Sequence, residues 1–177
     1  MTESHKTGTP TTGALDSSLL EAMLDAWNRN NTIMLNLLHA LPEDGLEAEA
    51  SETSPTVAQQ FMHLHHERLV SVFEEAPEFS IGVPAEEWRV EHDRDVIAEM
   101  LRESAEAVQA AVRGRVLAGR NLDRNYDHPI LMLQLLLWHE GYHHGQMKLA
   151  LKLSGKPIPD EKAGVQTWDV WRGRRGA

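Results

Sequence analysis

Apolar residues recur at three- and four-residue intervals in four separate segments of this chain, and each segment ends at a proline or glycine. That pattern constrains the fold more than any other feature, because it is the period of an amphipathic helix. The first segment runs from about Ser18 to Ala40, with a stripe of Leu20, Met23, Leu24, Trp27, Met34, Leu35 and Leu38. Ser18 and Glu21 fit a capping box at its start, and Pro42 and Gly45 stop it. The second begins at Ser54 as N-cap with Pro55 in the first helical position, and Pro77 ends it. The third runs from about Asp93 to Leu117 and closes at Gly119. The fourth has Asp127 as N-cap and Pro129 in its first turn, and its run Ile130–Leu153 ends at Gly155 and Pro157. No strand or hairpin signal interrupts them. The expectation is an all-α four-helix bundle.

The flanks read differently. Residues 1–14 are Thr/Gly-rich without an apolar core and are expected to be a disordered tail, not a secretory signal. The bundle is expected over 15–155, with 156–177 as an extended C-terminal tail whose Trp168 and Trp171 pack on it. No stretch is apolar enough to span a membrane, and a cytoplasmic protein is expected. With 17 basic against 27 acidic residues, a net charge of −10, the chain offers little attraction to nucleic acid or anionic lipid. The chain has no cysteine, which excludes disulfides, thiolate metal sites and a cysteine nucleophile.

Histidine is the outlier at 10 residues, and six of them fall in two clusters. His63, His65 and His66 lie on the second segment; His139, His143 and His144 lie on the fourth. His139 and His143 are spaced i, i+4, which sets two imidazoles roughly 40° apart around a helix. Two ring nitrogens can then reach one cation at about 2.0–2.1 Å. They share a stripe with Met132, Leu135, Leu136, Gln146, Met147 and Ala150, so the rings face an apolar interior. A lone buried histidine needs only hydrogen-bond partners. A pair at this spacing, with a second cluster on another helix, points to metal. His39, His92 and His128 stand near helix ends and are given no function.

His139-Glu140-Gly141-Tyr142-His143 also matches the H-E-x-x-H pattern of zinc peptidases, with Glu140 as general base. No convincing third ligand follows it. A ferritin-like di-iron site would need a second Glu-x-x-His, and none is present. The third ligand is sought on the second segment. The apolar side set by Val57, Phe61, Leu69 and Val72 includes His65, with His63 on a flank, so phase alone favours His65 or His66. Glu67, Tyr142, His144 and Gln146 lie near the site by spacing, Glu67 as a partner for an imidazole or as a surface carboxylate.

The run Thr56-Val57-Ala58-Gln59-Gln60-Phe61-Met62-His63-Leu64-His65, followed by Trp138-His139-Glu140-Gly141-Tyr142-His143-His144-Gly145-Gln146, resembles the DinB-like superfamily. These are small four-helix metalloproteins that include YfiT-type hydrolases and bacillithiol transferases. The resemblance covers about Leu15 to Gly155. It implies His63, His139 and His143 as the ligands of one divalent transition metal, nickel or zinc, with manganese or iron also conceivable. It implies parallel second and third helices, a homodimer and a small-molecule substrate. Three histidines leave a coordination position open, the catalytic arrangement. The implied activity is metal-dependent hydrolysis, or transfer of an external low-molecular-weight thiol to an electrophile in stress or detoxification. A non-catalytic metal-binding stress protein is the alternative, and the H-E-x-x-H peptidase a further one. Catalytic residues beyond the ligands stay unknown. Because the ligands must be neutral, metal affinity is expected to fall as the pH drops through about 6.5.

Overall fold

The computed structural model describes residues 12–173. Four long helices, α1 (Thr12–Ala40), α2 (Val57–Glu75), α3 (Arg94–Leu117) and α4 (Pro129–Leu153), precede two short ones, α5 (Asp160–Gln166) and α6 (Trp168–Arg172). The described residues contain no strand. None of these helices is long and apolar enough to cross a membrane.

The caps differ from the expected ones. α1 continues back through Ala14 and Leu15, both good helix formers, to Thr12, so Ser18 sits inside the helix and caps nothing. Residues 12–14 of the expected tail are therefore helical, and 1–11 lie outside the described residues. α2 is capped by Thr56, not Ser54. The Thr56 hydroxyl accepts from the Gln59 amide at 3.2 Å, and the Gln59 side chain accepts from the Thr56 amide at 3.0 Å, a reciprocal capping box. α4 is capped by His128, not Asp127: the His128 Nδ1 accepts from the Ile130 amide at 3.2 Å, and Pro129 takes the first helical position. Asp93, expected as the approximate start of the third helix, is the N-cap of α3. α4 ends in a Schellman motif. Gly155 adopts φ 72°, and the Lys156 amide donates to the Leu151 carbonyl at 2.8 Å.

Contacts between helices give their directions. His65 meets Met100, and Arg68 meets Leu101, so α2 and α3 run parallel. Trp27 meets Ala105 and Glu21 meets Arg113, so α1 opposes α3. Met23 meets Gln134 and Asn30 meets Glu140, so α1 and α4 run parallel. The parallel α2–α3 pair needs a crossover, which residues 76–93 supply. Its 3-10 turn Pro77–Phe79 lays the Phe79 ring on Gly114 of α3, where an added Cβ would lie 2.2 Å from Phe79 Cζ.

The core has two apolar halves. One holds Leu38, Phe61, Leu64, Ile97, Leu101 and Met147; the other holds Leu24, Trp27, Val72, Val108, Met132 and Leu136. A polar layer lies between them on all four helices: Asn30, His63, His65, Arg68, Ser104, Glu140 and His143 are all buried. Buried polar groups persist only when partnered, so this layer is where function is sought.

The C-terminal segment is two short helices, not an extended tail. The Arg29 guanidinium strings three carbonyls of it to α1, those of Val170 (2.6 Å), Trp171 (3.1 Å) and Gly173 (2.8 Å). The backbone, more than the indoles, makes this attachment: Trp168 and Trp171 stay 63% and 43% exposed.

Candidate metal centre

The turn of α2 that carries His63 faces the turn of α4 that carries His139 and His143. The His63 Nε2 lies 3.2 Å from the His139 Nε2, and the His143 Nε2 lies 3.2 Å from the same atom. The three rings meet edge to face, with centroids 4.6–5.1 Å apart. His63 and His143 are buried and His139 is partly buried.

The outer nitrogens explain why the inner ones converge. The His63 Nδ1–H donates to the Glu87 carboxylate at 2.8 Å. A carboxylate only accepts, so the proton of a neutral His63 sits on Nδ1 and its Nε2 presents a lone pair. The His143 Nδ1 faces the Gln60 Oε1 at 3.5 Å, and Gln60 is oriented by its own Nε2 donating to the Pro55 carbonyl. His143 Nε2 then also presents a lone pair. The His139 Nε2 has at most one proton to share between these two acceptors. The cluster is therefore a donor set with more lone pairs than protons, the condition a cation relieves. Two nitrogens bound to one metal at about 2.1 Å stand roughly 3.0–3.4 Å apart for octahedral to tetrahedral angles. The observed 3.2 Å separations fit.

The electrostatics point the same way. Burial holds the His143 ring down at about 4, helped by the nearby His139 and His63. Burial, then His63, also lowers His139, opposed by Glu67 and Glu140. Burial thus disfavours the charged form of both rings, and a ligand imidazole must be neutral. The loss of neutral ligand expected near pH 6.5 thus moves acidward for these two.

His65 is buried as its helical phase implies, but it faces α3, where its Nδ1 donates to the Met100 carbonyl at 2.8 Å. His66 lies beside Glu67 at 3.6 Å and is not one of the three converging rings. The Glu140 carboxylate is also not at the metal position. It is 1% exposed and receives Arg68 Nε at 2.6 Å, Arg68 Nη2 at 2.8 Å and Asn30 Nδ2 at 2.6 Å. A carboxylate buried and turned onto Arg68 and Asn30 is not placed to take a proton from water at the cluster, so the H-E-x-x-H reading fails on Glu140. Leu135, assigned to the inner stripe of α4, points outward at 43% exposure.

Sequence reasoning missed Gln60 on α2, which faces His143, and two residues on the crossover. Trp88 stacks flat on His63, with ring centroids 4.1 Å apart and planes 3° from parallel. Glu87, beside it, makes the His63 bond. Gln59 of the α2 cap donates to the Trp88 carbonyl at 3.2 Å and pins this loop over the site. No periodicity marks a loop residue, though Trp88 is conspicuous as the crossover's one tryptophan. Glu67 completes the surroundings: His63, Glu67 and Glu87 each offer a donor atom within 4.8 Å of the others.

The cluster borders a cleft of about 350 Å³ walled by His143, Gln60, Gln146, Tyr142, Trp88 and Leu149, among others. None of its lining residues carries a formal charge.

No curated protein and no solved structure matches the chain. A family model does, over residues 11–168, which takes in all four long helices, both histidine-bearing turns and the crossover between them. With that match joined to a parallel α2–α3 bundle and a three-histidine cluster, the chain belongs to the DinB family.

Proposed function

We propose that His63, His139 and His143 hold one divalent transition metal and that the protein uses it to activate a nucleophile against a small, uncharged substrate in the adjoining cleft. The convergence of three Nε2 atoms whose outer partners fix their lone pairs inward carries this reading. Imidazole donors suit nickel, zinc or iron better than magnesium or calcium. When bound, the metal supplies a Lewis acid that lowers the pKa of water or of a thiol.

The chain's own residues do the rest. Glu87 and Gln60 hold two ligand rings in their tautomers. Trp88 covers the face of His63 and excludes water from it. Tyr142 and Gln146 give the cleft hydrogen-bonding groups without charge, which favours an uncharged electrophile over a phosphate or carboxylate. Glu67 stands near the cluster as a carboxylate able to hold a proton. With no cysteine in the chain, a thiol reaction draws its sulfur from an external low-molecular-weight thiol. Hydrolysis and thiol transfer share this machinery. The net charge of −10 gives no reason to add a nucleic-acid partner.

The test is a two-arm screen of nickel- and zinc-loaded protein: electrophiles with a thiol, and esters and amides without one. Turnover that needs metal and disappears in His143→Ala supports the reading, and the active arm names the reaction. Tight metal binding with no turnover in either arm would assign the chain to non-catalytic metal-binding proteins.

A further inference from the structure

Two side chains of α1 fasten the C-terminal helices by their backbone. Arg29 Nη1 donates to the Val170 carbonyl at 2.6 Å, and Asn36 Nδ2 to the Gln166 carbonyl at 3.1 Å. Held there, α6 stands off from α4 and leaves a cleft of about 510 Å³. Its walls include Met34 on α1, Gly141, Gly145 and Lys148 on α4, and Trp168 and Trp171 on α6. The volume lies in the range of small-molecule sites, roughly 300–1,000 Å³. No residue of this wall belongs to the cleft beside His143, which opens on the other flank of α4.

Glycine hollows the α4 wall. Gly141 and Gly145 are one helical turn apart, so they lie on the same face. Glycine inside a helix destabilises it, because no other residue gives up as much backbone freedom on folding. A helix commonly keeps one there so that another segment can pack close. Here no neighbouring segment does: a Cβ added at either position would meet nothing within 4 Å. His144, on the same wall, keeps a buried Nε2 that has no hydrogen-bond partner among the described residues. Buried nitrogens are nearly always paired, so this one calls for a group that the chain does not supply.

The facing wall sets the shape of such a group. Trp168 and Trp171, at i and i+3 on α6, both border the cleft and leave much of their indole surface exposed. An uncovered indole offers a flat apolar face for stacking. The glycine turn across from it carries no side chain, so a planar ring fits between indole and helix. Charge sets the rest. Lys148 is the one lining residue with a formal charge, and it is half-buried. It makes no hydrogen bond or ion pair among the described residues. In a chain carrying −10, an ammonium without a carboxylate beside it is an exception, and it attracts an anion.

We infer that this cleft binds a small planar aromatic carboxylate. Its ring lies between the indoles of Trp168 and Trp171 and the glycine face of α4. Its carboxylate meets the Lys148 ammonium, with His144 Nε2–H as a second donor. An uncharged ring would leave Lys148 unmatched, and a small inorganic anion would leave the indoles uncovered. The cleft contains none of the three converging histidines, so the inference stands apart from the proposed function.

The experiment is calorimetric titration of the full chain, zinc-loaded and metal-stripped, with 2-naphthoate, the uncharged 2-naphthamide and the saturated cyclohexanecarboxylate. Circular dichroism and thermal melts check that each variant folds. 2-Naphthoate should bind one per chain below about 1 mM in both forms, and the other two at least about tenfold more weakly. Lys148→Met should weaken 2-naphthoate at least about tenfold and remove its advantage over the amide. Trp168→Ala should weaken both naphthalenes. Gly141→Leu fills the hollow. It should abolish binding while melting no lower than wild type, because leucine is the better helix former and no neighbour stands in its way. No binding of 2-naphthoate at about 1 mM, equal binding of the amide, or full binding in Lys148→Met and Gly141→Leu would overturn the inference. Binding confined to the zinc-loaded form and lost in His143→Ala would put the carboxylate on a metal at the histidine cluster, and would overturn it too. The metal-stripped arm keeps this test separate from the metal assignment.

Discussion

Arg68 and Glu140 form a two-pronged ion pair at the centre of the bundle, 0% and 1% exposed, one residue from His139 and five from His63. Arg68 also donates to the Leu101 carbonyl at 2.7 Å and to Asn31 Oδ1 at 3.0 Å, and it lies 4.9 Å from the Trp27 ring centre. One guanidinium of α2 thus touches the other three long helices. A buried pair adds little net stability over apolar residues of the same size, but breaking it strands a charge. Its geometric effect is to fix the height of α2 against α4, and so to set His63 level with His139 and His143.

Removing one partner should therefore cost much more than removing both. Arg68→Met or Glu140→Leu alone is expected to lose about 3–5 kcal/mol of stability, while the double variant loses far less. Urea denaturation of the three variants checks this. The double variant should still bind metal more weakly than wild type, because nothing then holds the register.

Glu87 should matter for metal without mattering for folding. Its bond to His63 sits at the rim, with the Glu87 side chain 39% exposed. Glu87→Ala is expected to weaken metal binding by about 10–100-fold with little change in melting temperature. Calorimetric titration with zinc measures the first, and a thermal melt the second.

Acid should destabilise the metal-free protein before its carboxylates titrate. Burial holds His143 and His144 each at about 4, with help from other histidines and from Lys148 respectively. Burial also lowers His65 and His139. As pH falls below about 6.5 the unfolded chain takes up protons at these rings and the folded chain does not. The folded state binds fewer protons, so stability falls with pH across that window. The part carried by His143 and His144 flattens near 4, where those folded rings protonate too. Melting temperatures between pH 7 and 4 on metal-stripped protein would show this decline. A flat profile would mean the rings are solvated.

The capping box on α2 should be worth about 1 kcal/mol: Thr56→Ala loses it, and Ser54→Ala changes little. Chemical denaturation separates the two. Both residues are legitimate caps by type. The Thr56-x-x-Gln59 spacing was the available signal that decides between them.

Much of the fold is legible in the apolar period, because four helices of one bundle each bury a stripe. What is not legible is which neighbour a buried residue faces. α2 packs against both α3 and α4, so its buried arc is wide. His65 and His63 both lie within it, one turned to Met100 and the other to His139. Helical phase reports burial and cannot choose between those directions; the family resemblance pointed to His63. Glu140 shows the converse. Its place in H-E-x-x-H suggests chemistry, and only the three-dimensional position of Arg68, 72 residues away, shows it spent on packing. Glu87 and Trp88 reach the site from a loop, where no period exists to read.

The most direct test of the metal assignment is metal content per chain after reconstitution with nickel or zinc and removal of loose ions, compared across four single variants. Wild type and His65→Ala should each retain one ion per chain, while His63→Ala, His139→Ala and His143→Ala should retain almost none. Full retention in His63→Ala, or loss in His65→Ala with His63→Ala unaffected, would contradict the three-histidine centre.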